Sequence, residues 1–327
     1  MQLNFNFFNK VFAILISLIP LFMITGGFIP DVILCLSGIY FLFACFKYKL
    51  WYYFKNKIII FFFIFISYLS LRGLFSVNSF HTFFTSLVYF RYFFFTLAII
   101  YLIHNFEKFN KYFLLGSCFA LIIIIPDTYV QWIFGKNILG WEAYGQYRLS
   151  SLFRDELIVG AFIAKTFILF FVFYNKSEYN NSFFNKFFLP LLIIVNFIVF
   201  ASGERSAFFH IIIFSILVII ASDKELLIIS KLKIFMIFTI LFSSVIFIDG
   251  DIKHRMIDHT YNQLKEKTIP FLPYTAHHEE HYRSALTMFK DKPIVGHGSG
   301  LFRFLCKEDK YYFNSLSCST HPHNFYI

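Results

Sequence analysis

Charge is what this 327-residue chain has least of. Asp, Glu, Lys and Arg make up 15% of it against 58% hydrophobic residues, and the mean hydropathy is +0.66. A soluble domain of this length needs more polar surface than that, so the composition is that of an integral membrane protein. A small-residue cleavage site is also missing after the apolar run that begins at Val11, so this run reads as a retained first helix rather than a removed leader. There is no internal repeat, no low-complexity tract and no separate soluble domain.

Several motifs of catalysis are absent too. Glu279 follows His278, but Tyr282 stands four residues after that histidine, so the H-E-x-x-H pattern of a zinc hydrolase is not formed. His277, His278, His281, Glu279 and Glu280 instead read as an exposed, charged helix face, and no metal site is expected. The GHGSG stretch at 296–300 has Ser299 out of place for a nucleophile elbow, and no strand precedes it as a nucleotide loop requires. It reads as a structural turn.

What charge there is has a sign. The formal net charge is +10, which invites a nucleic-acid reading, but the lysines lie mainly in short clusters between apolar runs, where they set membrane orientation. No basic patch with base-stacking aromatics accompanies them, so no nucleic-acid partner is expected. Apolar runs near the roughly 20 residues needed to cross the hydrocarbon as a helix recur at 11–29, 32–46, 58–75, 83–103, 112–130, 157–174, 187–201, 207–221 and 234–248. The predicted fold is therefore all-α: a polytopic transmembrane bundle over 1–248 with about nine complete spans, a large loop over 249–323 containing helical segments, and the start of a tenth span at 324–327. The chain reads as cut short there. Lys10, Lys47, Lys49, Lys55, Lys57, Lys108, Lys111, Lys176, Lys186, Lys224, Lys231 and Lys233 all fall on one side of this arrangement, which is then cytoplasmic. The segments 131–156, 202–207 and 249–320 are left together on the opposite face. One amphipathic helix is expected in the long loop, at 278–289, with Tyr282, Leu286 and Phe289 on its apolar side.

The outward-facing polar residues supply the candidates for chemistry. Arg205, in SGERSA, is pinned between two apolar runs, and Arg255 follows the ninth run closely. Two guanidinium groups at one depth suit a diphosphate, because each is charged at neutral pH and offers paired donors; taken singly, either arginine is equally well read as an interfacial anchor. His323, followed by Asn324 at the return to the membrane, can act as a general base near neutral pH. His321 either assists it or caps the turn. Arg91 interrupts the fourth apolar run: it faces a polar cavity, pairs with a carboxylate such as Asp127 or Glu156, or lies at the outer end of a tilted helix. Arg148 and Arg154 lie either near a substrate or in a solvated loop. Cys306 and Cys318 fall in the outer loop, where an oxidising compartment would let them pair.

The order RLSSLFRDELIVGAF, SGERSAFF, AxxMFKDKPIVGHGSGLFRFLC and THPHNFYI resembles the O-antigen ligase and polymerase family of bacterial inner membranes. The resemblance implies a metal-independent, inverting glycosyltransferase without cofactor, which moves a glycan from undecaprenyl diphosphate to an acceptor hydroxyl at the periplasmic face. The acceptor would be a sugar of the lipid A core in a ligase, or the end of another lipid-linked repeat in a polymerase. It also implies roles: diphosphate binding for Arg205 and Arg255, and proton removal for His323; Arg148, Arg91 and His321 are the further candidates for substrate contact by their own positions in the sequence. A transporter of lipid-linked glycans is the alternative from another class. The clustering of polar residues at one face, rather than near the midplane between repeats, counts against it.

Overall fold

The structure, a computed structural model, describes residues 2–143, 148–175, 182–221, 250–265 and 276–321. Among them every regular element is a helix, and pairing of extended backbone is confined to an isolated bridge between Lys136 and Glu142. In chain order the helices are α1 (Gln2–Ser17), α2 (Ile19–Met23), α3 (Phe28–Tyr48), α4 (Lys57–Leu74), α5 (Ser79–Leu87), α6 (Phe90–Asn105), α7 (Phe109–Phe134), α8 (Val159–Asn175), α9 (Ser182–Ala201) and α10 (Arg205–Ala221). After these come α11 (Gly250–Lys253), a π-helical turn (His254–Asp258), α12 (His259–Lys265), α13 (Ala276–Asp291) and α14 (Phe302–Leu305).

Four stretches are long and apolar enough to cross a membrane: Phe28–Tyr48, Lys57–Leu74, Ser79–Asn105 and Phe109–Phe134. They coincide with the second to fifth expected spans, the third of them being α5 and α6 taken together. Shorter apolar helices, Asn6–Ser17, Val159–Asn175, Pro190–Ala201 and Arg205–Ile220, fall where the first, sixth, seventh and eighth spans were expected. The ninth, at 234–248, and the start of a tenth lie outside the described residues.

The chain divides into two compact units, Met1–Ile33 with Leu102–His259, and Leu34–Tyr101 with Thr260–Ile327. In the first unit α8 is the hub, packed against α7, α9 and α10. Its buried residues, among them Val159, Phe162, Ile163, Phe167 and Phe170, surround most of its circumference, which is the pattern of a helix enclosed on several sides. On α7 the buried positions Leu114, Ser117, Leu121, Ile124, Thr128 and Gln131 recur every three or four residues and define one inward stripe. Gly116 lets α1 approach α7 closely, because a Cβ there would overlap the Ser17 carbonyl.

In the second unit α4 and α5 pack as a pair, and the rings of Phe41, Tyr53 and Tyr101 cluster with centroids about 6 Å apart. A smaller core joins Met288, Leu301, Leu305, Cys306 and Tyr311, and a disulfide links Cys306 to Cys318. The loop at 294–296 is tied down by Arg72, near the end of α4, whose Nε donates to the Val295 carbonyl (3.1 Å) and Nη2 to that of Gly296 (2.8 Å). GHGSG is a turn, with positive φ at Gly296, Gly298 and Gly300.

Two expectations about α13 are corrected. Its buried face is His281, Ser284, Ala285 and Met288, whereas Leu286 and Phe289 are exposed. Glu279 and His281 are buried rather than part of a solvated charged face. The reason is close approach: small Ser284 and Ala285 admit the neighbouring chain, and Ser284 Oγ donates to the Tyr311 carbonyl at 2.7 Å.

Candidate functional site

The end of α7 carries two polar side chains one turn apart, Asp127 and Gln131, both fully buried. Buried polar groups must find partners, and these find them in the loop that follows. Asp127 accepts from the Ile138 amide (2.9 Å) and from the Ser151 hydroxyl. Gln131 Oε1 accepts from the amides of Ser150 (3.0 Å) and Ser151 (2.7 Å). Asn137 continues the net, accepting from Leu139 and Trp141 and donating to the Ser151 carbonyl. Together they hold Ser151 at a positive φ of 50°, which ordinary residues adopt only under constraint; Arg154, three residues on, also has a positive φ, 57°. Both Asp127 oxygens are thus engaged inside this loop, and Arg91 donates to the neighbouring Tyr92 hydroxyl at 2.8 Å.

That loop bears on the turn between α9 and α10. The Leu149 amide donates to the Ser202 carbonyl at 3.2 Å, and Gly203 makes the turn at φ 74°. Glu204 then reaches back to α8: its carboxylate is buried and accepts from the Gly160 amide at 2.6 Å and the Ala161 amide at 3.1 Å. These are among the first amides of α8, which have no acceptor within the helix. Gly160 is required, because a Cβ would collide with Ser202 Oγ. Burial pushes the Glu204 carboxyl above its ordinary range, against the opposing pull of the two amides, Arg148 and Lys165.

Three guanidinium groups gather at this turn. Arg205 opens α10, half-buried. A cation at a helix N-terminus faces the positive end of the dipole and gains nothing from it. Arg255 lies on the π-helical turn and reaches the Gly203 carbonyl through Nε at 3.4 Å. Arg148 donates from Nη2 to the Leu157 carbonyl at 2.8 Å, and its Nε is buried without a hydrogen-bond partner among the described residues. Burial, followed by the charges of Arg205 and then Arg148, holds Arg255 down at about 10. Three like charges held together in partly desolvated surroundings are chemically suited to a compact polyanion.

The structure therefore joins Arg148 to Arg205 and Arg255 and sets Arg154 apart, since Arg154 is exposed with its guanidinium 4.2 Å above the Trp141 ring. His321 is exposed and pairs through Nδ1 with the Thr320 hydroxyl at 2.9 Å. His323 lies outside the described residues. Gln131, Asn137, Ser151 and Glu204 are the positioning residues that sequence reasoning passed over. The available signal was the pair Asp127 and Gln131, polar at helical spacing on an otherwise apolar span.

Comparison with curated proteins and with solved structures returns no match. The family comparison does: residues 189–327, which include Arg205, Arg255, the 202–205 turn, the loop beyond it and His323, match the family model described as O-Antigen ligase.

Proposed function

We propose that this protein is a glycosyltransferase that moves a glycan from undecaprenyl diphosphate to an acceptor hydroxyl at the periplasmic face of the bacterial inner membrane. The observation that carries the reading is the gathering of Arg148, Arg205 and Arg255 about the 202–205 turn, in a chain whose second part matches the O-antigen ligase family. The four apolar helices suit an enzyme whose donor is anchored in lipid.

The chemistry follows from the charges. A sugar hydroxyl attacks the anomeric carbon, the bond from that carbon to the diphosphate oxygen breaks, and both electrons of that bond leave with the diphosphate. His323 takes the hydroxyl proton. Negative charge grows on the departing diphosphate, and the three arginines are positioned to oppose it, so no divalent ion is needed for that step. Attack from the side opposite the leaving group inverts the anomeric centre.

Between the two acceptors, a lipid A-core sugar is the primary reading and the end of a second lipid-linked repeat the other. The product separates them: one glycan added to the core gives a single shift, and repeated extension gives a ladder. The deciding experiment incubates the full chain in membranes with a lipid-diphosphate glycan donor and acceptor. Transfer should persist with EDTA and fall strongly in Arg205→Ala and Arg255→Ala; full transfer by both variants would overturn the proposal.

A further inference from the structure

The second unit contains a groove that takes no part in the chemistry above. Its volume is about 780 Å³. One wall is the face of α4 that carries Phe62, Phe65 and Leu69, and the other is the end of α13, with Ala285, Met288 and Phe289. On α4, a candidate membrane span, the eleven residues from Phe62 to Arg72 run along the groove for about 15 Å of helix rise. The walls change character at one end. There Arg72, Lys292 and His297 form the rim, close enough together that Lys292 and Arg72 both act on the His297 imidazole, which burial above all holds below its ordinary range.

This basic rim has little local counter-charge. The adjacent carboxylate, Asp291, is bonded to the Lys310 ammonium and to the Tyr311 hydroxyl (2.7 Å), and stands 3.7 Å from His297 Nε2. Among the described residues Lys292 has no ion pair, and it is half-buried. An apolar trough along a candidate membrane span, with cations at one end, is complementary to an amphiphile with one anionic head. A peptide laid in the same trough would leave its own amides and carbonyls without partners against Phe62, Phe65 and Leu69; a hydrocarbon chain has none to satisfy.

We propose that this groove is a binding site for an anionic glycerophospholipid, with an acyl chain along Phe62, Phe65 and Leu69 and its phosphate at Lys292 and Arg72. The inference concerns binding alone and stands or falls independently of the transferase reading. The test uses the full chain in nanodiscs containing a phosphatidylglycerol probe with a diazirine on one acyl chain, photolysed and mapped by mass spectrometry. Labels should concentrate on α4 at 62–69 and on 285–302, and unlabelled phosphatidylglycerol should compete where phosphatidylcholine does not. Lys292→Gln should weaken that competition about five-fold, the effect of one basic residue at an anionic surface. Ala285→Trp fills the trough and should remove the labels, while a melting curve reports whether the variant is folded. Labels spread evenly over all apolar helices and indifferent to Lys292→Gln, or a groove occluded by a second copy cross-linked through it, would overturn the proposal.

Discussion

Glu204 and Gly160 meet across two helices, the carboxylate oxygen accepting the glycine amide at 2.6 Å. This bond ties the turn that presents Arg205 to the first turn of α8, so the position of a cation is set by the capping of a neighbouring helix. Glu204→Ala should leave both amides bare and cost about 1–2 kcal/mol, the usual value of a lost cap. Thermal melting measures the loss, and Glu204→Gln should recover part of it by offering one acceptor.

The charges of Arg148, Arg205 and Arg255 oppose one another. Arg148→Gln relieves that repulsion but gives up the bond to Leu157 and the charge beside Glu204, so it should change the melting midpoint little while lowering transfer by about ten- to a hundred-fold, the worth of one charge-assisted hydrogen bond. Inorganic pyrophosphate should stabilise the wild type more than this variant. Equal stabilisation of both would remove Arg148 from the anion site.

A pH dependence follows from Arg255, held at about 10. Its folded value lies below the unfolded one, so the folded state holds fewer protons between the two. Its contribution to stability accordingly rises as pH climbs through that window. Binding of an anion has the opposite trend, because the cation is lost as pH passes about 10. Titration of pyrophosphate binding at pH 7.5 and 10.5, compared with Arg255→Gln, should show the wild type weakening and the variant changing little.

Conversion of His323 to Ala should reduce transfer by about 10² to 10⁴, the range for a general base, while the protein remains in the membrane fraction. Near-normal transfer by this variant would take His323 out of the mechanism.

The disulfide between Cys306 and Cys318 closes a short loop packed on Met288 and Tyr311. Reduction, or Cys306→Ser with Cys318→Ser, should cost about 3 kcal/mol by loop closure. Thiol labelling of the intact protein before and after reduction checks the pairing.

The helices were legible in the sequence because lipid demands long apolar runs, and α3, α4 and α7 stand where those runs predicted them. Arg205 was legible as well, since a charge wedged between two apolar runs is conspicuous. What escaped was side-chain geometry. Nothing in the spacing of Arg148 distinguishes it from Arg154, six residues on; only the fold turns one toward Arg255 and lays the other on Trp141. The face of α13 was misread for a related reason. Hydrophobicity favoured Leu286 and Phe289, whereas packing selected Ser284 and Ala285, whose small size lets Tyr311 come close.

Arg72 grips Val295 and Gly296 by their backbone carbonyls. Such a clasp is blind to the side chain at position 295, so that position could drift in sequence and the segment still be fastened to the end of α4, whereas Gly296 stays constrained by its positive φ. Replacement of Arg72, in contrast, would release the segment whatever residues stood in it.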